Sequence, residues 1–206
     1  MSTVLNICIM ALQAAKKALR LQLKEILKNL PTEEKAKESE IVVSKLLQSK
    51  KYQESKRISV YLSRDIEIDT RAVLVDIFRS GKECFIPRYD SKSTEMDMVR
   101  LNSLQEYENL PVTSWNIKQP NYSDANLYDA LATGGLDLII VPGIGFTKEG
   151  HRIGNGKGYY DTYLEKCKEK LGNRFSTIAL AFREQLVPSI PISEHDVLID
   201  EVIYPE

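Results

Sequence analysis

Arg152, Gly154, Gly156, Lys157, Gly158 and Asp161 crowd three glycines, two cations and one carboxylate into a single short stretch. Alternating glycines keep side chains away from a ligand and let consecutive backbone N–H groups converge on an anion. The stretch from Gly143 to Asp161 follows the short aliphatic run Leu136–Pro142 and leads into Tyr159–Leu171, which resumes at helical period. A helix starting near Gly158 adds free N–H groups and the positive end of its dipole, so the pattern predicts a phosphate seat. Glycine clusters also form plain turns; the interleaved Arg152 and Lys157 favour an anion site. Neither standard phosphate loop fits. A dinucleotide fingerprint counted from Gly154 and Gly156 needs glycine where Tyr159 stands. A P-loop ending on Gly156-Lys157 needs glycine and Ser/Thr where the chain has His151 and Gly158.

Asp161 falls in the first turn of that helix. At about 4 Å and an effective dielectric of about 20, a carboxylate and a phosphate repel by roughly 4 kcal/mol, whereas the helix dipole returns only about 0.3–1 kcal/mol. A phosphate there calls for an intervening cation, and Mg2+ commonly binds through one or two carboxylates plus substrate phosphates. The alternative is that Asp161 only complements the helix dipole and no phosphate comes near.

Pro142-Gly143, Gly145-Phe146 and Gly150-x-Arg152-Ile153-Gly154-x-Gly156-x-Gly158-Tyr159-Tyr160-Asp161 resemble the signature of the 5-formyltetrahydrofolate cyclo-ligase family, also called methenyltetrahydrofolate synthetases. The resemblance extends to Lys16–Arg20, Arg57–Leu62, Phe85–Tyr89, Met96–Arg100, Thr113–Ile117, Gly134–Leu138, Ala179–Phe182 and Asp200–Tyr204, and so runs from about Leu12 to the C-terminus. It implies conversion of 5-formyltetrahydrofolate and ATP to 5,10-methenyltetrahydrofolate, ADP and phosphate, with Mg2+ as cofactor. By the same resemblance Lys16, Lys17, Ala18, Leu19, Arg20 and Arg152, Ile153, Gly154, Asn155, Gly156, Lys157, Gly158, Tyr159 and Tyr160 bind ATP, with Lys157 and Arg152 catalytic. Leu62, Glu67, Tyr89, Met96 and Trp115, with Asn155, Gly156, Lys157, Gly158 and Tyr159, contact the folate, and Asp161 and Asp196 hold Mg2+. Asp196 is carried by resemblance alone. Lys16 and Arg20, at i and i+4, share a helix face and can meet one triphosphate, although by themselves they also read as a solvated basic face. Asn155 departs from the family, which often has a larger or basic residue there; weaker binding of an anionic group, such as a polyglutamate tail, is expected. Two other readings stay open: a folate- or nucleotide-binding regulatory protein without turnover, and a relative of sugar-phosphate isomerases or CoA-transferases, whose reactions consume no ATP.

The elements that must position these residues follow from periodicity. Leu12–Leu30 reads as an amphipathic helix stopped by Pro31, and Thr32 with Glu33 and Glu34 as the cap and acidic first turn of a second helix reaching about Gln48. Strands are predicted at Arg57–Leu62, Glu83–Pro87, Leu136–Pro142 and Ser176–Phe182, with a helix at Thr70–Ser80; residues 90–134 read as mostly loop and edge structure. The alternation predicts an α/β fold, one compact domain with a largely parallel sheet flanked by helices, over residues 12–206. Residues 1–11 are expected to be an extension of unknown role. Leu62, Pro87 and Pro142 would each end a strand and send a loop to one site beyond the sheet.

Composition narrows the partners. With 206 residues and a formal net charge of −1, the chain has no global attraction to nucleic acid or an anionic membrane, and a small-molecule partner is expected. Cys8, Cys84 and Cys167 are too few and too far apart for a disulfide framework or structural zinc. His151 and His195 lack paired metal-ligand spacing. No apolar run approaches a membrane span, and no secretory signal is evident, so a cytoplasmic location is expected. A monomer is expected as well.

Overall fold

The amphipathic period that begins at Leu12 is carried by a longer helix than the sequence predicts: α1 spans Ser2–Asn29 and takes in the supposed extension. Leu23 and Leu27 are its buried anchors, whereas Ile7, Ile9 and Met10 are exposed. No glycine or proline interrupts the chain before Pro31, so no backbone breaker stops the helix at its buried anchors. The structure, a computed structural model, describes residues 2–89, 93–113, 117–121 and 128–206, with side chains from residue 6.

Pro31, not Thr32, is the N-cap of α2 (Thr32–Gln48), and no side-chain cap bond is made. Proline fixes its own φ near the required value, so the chain turns without a hydroxyl cap. The short α3 (Lys50–Glu54) is capped by Ser49, whose side chain accepts from the Tyr52 N–H. Then β1 covers only Arg57–Ser59, half the predicted run; Val60–Leu62 continue extended and buried towards the site. α4 (Arg71–Arg79) buries Val73, Leu74 and Ile77. β2 (Glu83–Tyr89) and β3 (Met96–Leu101) pair antiparallel, from Cys84 against Leu101 to Tyr89 against Met96. Pro87 therefore lies inside β2; the Val60 N–H still donates to the Phe85 carbonyl at 2.9 Å, but the next donor of a parallel ladder would be the N–H of residue 87, which proline lacks, so pairing with β1 ends there. α5 (Leu104–Asn109) follows, capped by Ser103.

β4 (Leu138–Val141) is four aliphatic residues, all buried, as a central parallel strand requires. The glycine-rich segment then forms a small hairpin, β5 (Gly145–Phe146) against β6 (Arg152–Ile153), before α6 (Tyr159–Leu171). β7 (Ser176–Leu180), a 3-10 turn at Arg183–Gln185 and β8 (Glu201–Ile203) complete the chain.

The sheet order is β3-β2-β1-β4-β7-β8, parallel except for β3. One face packs Ile58, Ile140 and Ile178 against the side of α2 and α4; the other packs Ile139, Val141 and Ala179 against Leu164 and Cys167 of α6. Truncating a core residue such as Ile139 to Ala would cost about 2–5 kcal/mol. The described residues form one α/β domain with a largely parallel sheet and helices on both faces. From β1 the chain proceeds to β2 on one side, while β4 lies on the other. Such a reversal opens a crevice beyond the carboxyl ends of the strands.

Candidate active site

That crevice is a cavity of about 890 Å³. Tyr61, Leu62, Arg64 and Glu67 reach it from beyond β1, Pro87 and Tyr89 from β2, and Pro142, Gly143 and Arg152 to Asp161 from beyond β4; Lys16 and Arg20 of α1 close one side and His195 and Asp196 another.

The glycine loop is built from below. Buried Gln185 donates from Nε2 to the carbonyl of Gly143 at 2.7 Å and fixes where the chain leaves β4. The hairpin then turns Arg152 inward, leaving its side chain 4 % exposed; Nη2 meets Asp161 Oδ1 at 2.8 Å and Nη1 donates to the Pro142 carbonyl at 3.3 Å. Arg20 reaches the loop from outside, its Nε donating to the Gly154 carbonyl at 2.8 Å. Gly156 has φ +98°, and an added Cβ would meet Arg20 Cζ only at an ordinary 3.4 Å, so it is the backbone conformation that calls for glycine there. Gly158, with φ 76°, is the N-cap of α6 and supplies no side-chain cap. The first-turn N–H groups are left to other partners, as an anion seat needs. Lys157 is exposed on the loop and has no ion-pair partner among the described residues.

Two carboxylates meet at the rim. Asp161 Oδ1 accepts from the Val197 N–H at 3.4 Å, which ties α6 to the loop carrying Asp196. Asp196 Oδ2 pairs with Lys16 and accepts from the Ser193 N–H at 2.7 Å. Burial pushes the Asp196 carboxyl up, but the Lys16 and Ser193 hydrogen bonds outweigh it and hold the pKa below the ordinary value. Among the described residues no group of three or more His, Cys, Asp or Glu could hold a metal. Two hard carboxylates balanced by Lys16 and Arg152 nevertheless fit the sparse protein contribution Mg2+ takes when phosphates complete its shell.

The far wall is aromatic. Tyr89 and Tyr159 stack with centroids 5.0 Å apart and planes at 21°. Beside them Glu67, buried at 8 % exposure, is gripped by Arg64. Burial, and after it neighbouring groups including Glu67, pushes the Tyr61 and Tyr160 phenols far above their ordinary values, so both stay neutral O–H donors. The Tyr160 hydroxyl is buried without a hydrogen-bond partner among the described residues. Burial also lowers the Lys24 ammonium, with the charges of Arg64 and Arg20 adding to it, which marks this side as electropositive.

The sequence-predicted residues are thus largely brought together, with four exceptions and one residue outside the described ones. Lys17 and Ala18 are exposed on α1, Leu19 packs with Leu23, Ile144 and Ile153, and none of the three lines the cavity. Met96 is 2 % exposed and stands behind the wall as the cross-strand partner of Tyr89. Trp115 lies outside the described residues. Arg64, Tyr61 and Glu165 line the cavity and were missed. For the first two, the signal available was their place at the carboxyl end of a predicted strand; for Glu165, its position one turn beyond Asp161 on a helix.

A model of the 5-formyltetrahydrofolate cyclo-ligase family matches residues 12–205. The chain is 51% identical over 191 residues to the mouse 5-formyltetrahydrofolate cyclo-ligase, covering 93% of this chain and 94% of that protein. It is 42% identical over 197 residues to a probable 5-formyltetrahydrofolate cyclo-ligase of Caenorhabditis elegans, covering 94% of each. Among solved structures, the 5,10-methenyltetrahydrofolate synthetase of Aquifex aeolicus superposes with a TM-score of 0.73 at 26% identity, over 92% of this chain and 89% of that one. The Mycoplasma pneumoniae synthetase shares the fold, with a TM-score of 0.69 at 24% identity over 93% and 99% of the two chains.

Proposed function

Because the chain belongs to the 5-formyltetrahydrofolate cyclo-ligase family, we propose that it converts 5-formyltetrahydrofolate and ATP to 5,10-methenyltetrahydrofolate, ADP and phosphate within this cavity. The observation that carries the reading is that a glycine-rich loop bearing Arg152 and Lys157 and an aromatic wall with a buried carboxylate share one cavity. A nucleotide and a pterin could meet there.

A formamide carbon is a weak electrophile and its oxygen a poor leaving group. Transfer of the γ-phosphoryl group to the formyl oxygen breaks the bond to ADP and forms a phosphate ester. N10 then attacks the formyl carbon and gives up its proton, and phosphate departs with the former formyl oxygen. Such a sequence needs positioning and charge neutralisation and no protein nucleophile. Lys157 supplies charge from above the loop, Arg20 and Lys16 from α1, and buried Arg152 acts from beneath and orients Asp161. Asp161 and Asp196 would hold Mg2+, which when bound offsets the charge of the phosphates. Tyr89 and Tyr159 would hold the pterin, with Glu67 accepting from its N–H groups. Asn155, uncharged at the cavity edge, would read a glutamate tail only weakly. All these groups come from one chain, and we assign the working unit as a monomer.

Purified protein given ATP, Mg2+ and 5-formyltetrahydrofolate should release ADP and raise the near-ultraviolet absorbance of the methenyl product one for one. ADP formation that ignores the folate would overturn this reading. Binding of both ligands without ADP would replace it with the regulatory one.

A further inference from the structure

Glu67 is not free to meet a ligand with its whole carboxylate. Arg64 Nη2 donates to Oε1 at 2.6 Å, Arg64 Nε donates to the same oxygen at 3.2 Å, and the Arg64 backbone N–H donates to Oε2 at 3.0 Å. The Glu67 N–H closes the turn by donating to the Arg64 carbonyl at 2.9 Å. An ionised carboxylate offers about four acceptor sites. Arg64 fills both on Oε1 and one on Oε2, which leaves a single site on Oε2 for anything in the cavity.

We propose that Arg64 is a positioning residue for folate recognition: it fixes the Glu67 carboxylate so that one oxygen, Oε2, meets one N–H donor of the pterin. The inference rests on the reading of Glu67 as a folate contact. Arg64 makes the one ion pair formed by Glu67 among the described residues, and both side chains line the cavity. Glu67 is 6 % exposed at its side chain and Arg64 30 %, so the cation lies between the buried carboxylate and solvent. Tyr61, Tyr89 and Tyr160 surround Glu67 with neutral phenols. None of them replaces the guanidinium charge. Lysine would supply charge without the planar fork that holds Oε1 from two nitrogens.

The test compares Arg64→Met, Arg64→Lys, Glu67→Gln and the Arg64→Met/Glu67→Gln double variant. Each is measured by thermal unfolding, by separate KM values for 5-formyltetrahydrofolate and ATP, and by equilibrium dialysis of the folate without ATP. Arg64→Met should raise the folate KM and dissociation constant at least tenfold, with the KM for ATP within twofold of wild type. Arg64→Lys should fall between them. In the Glu67→Gln background, Arg64→Met should add less than threefold. Unchanged folate affinity, a fall in folate KM showing that Arg64 competes with the substrate, or full multiplication of the two single effects would each overturn the proposal. So would equal losses for ATP and folate with a lowered unfolding temperature, the mark of a purely structural loop. Wild-type protein that neither binds nor turns over the folate would instead overturn the function reading, so the two failures are distinguishable.

Discussion

Lys157 and Asp161 lie four residues apart on the turn into α6, and their substitution should separate chemistry from stability. Lys157 is exposed and has no ion-pair partner among the described residues, so Lys157→Ala should shift stability by less than about 0.5 kcal/mol. Its ammonium is proposed to meet charge that builds during phosphoryl transfer, and kcat should fall about a hundredfold or more. Asp161→Asn leaves the Arg152 guanidinium, 4 % exposed at its side chain, without its anion. Because Asp161 itself is a quarter exposed, the cost should be about 1–3 kcal/mol in addition to lost turnover. Thermal unfolding beside initial rates separates the two; full activity in Lys157→Ala would mean the phosphate site is elsewhere. At this scale the sequence displayed residue types and local spacing: alternating glycines, interleaved cations and an acid in a first turn. It did not display that a two-stranded hairpin turns Arg152 inward. Nor did it display that Arg64 folds back on Glu67, because that contact depends on a turn with no glycine or proline to announce it.

Among the elements, α6 begins and ends where its sequence says it should, since Gly158 and Gly172 bracket a helical period. Strand limits were less legible, because burial continues past the last ladder bond: Val60–Leu62 are as apolar as β1 but run into the cavity. β3 was read only as an edge piece, since its antiparallel register is set by β2 rather than by its own residues. One element contact carries a pH signature. Glu38 of α2, 2 % exposed, accepts at 3.0 Å from the Arg183 N–H in the 3-10 turn. Burial raises its carboxyl above the ordinary value; the Arg183 N–H opposes this and Glu184 adds to it. The folded chain therefore holds the Glu38 proton more tightly than the unfolded chain does. Stability should fall as pH rises from the ordinary carboxylate value through the raised one. Glu38→Gln keeps an acceptor for Arg183 and removes that loss, so unfolding temperatures of the two proteins should converge in acid and diverge, with the variant higher, towards neutral pH. Parallel curves across that range would contradict the assignment.

For the whole molecule, alternation of strands and helices made the α/β class legible, but the strand order was not. Whether β4 joins β1 on the side away from β2 is settled by packing two faces of one sheet, which no local window contains. That order brings the Tyr61–Glu67 loop, the glycine loop and α1 to one cavity, and no helix among the described residues is long and apolar enough to cross a membrane. The central claim is that this cavity lets ATP take the formyl oxygen from the folate. The most direct measurement uses 5-formyltetrahydrofolate carrying oxygen-18 in the formyl group, with the released inorganic phosphate analysed by mass. The account predicts one labelled oxygen in phosphate for each methenyl product formed. Unlabelled phosphate at full product yield would show that the oxygen leaves by another route and would contradict it.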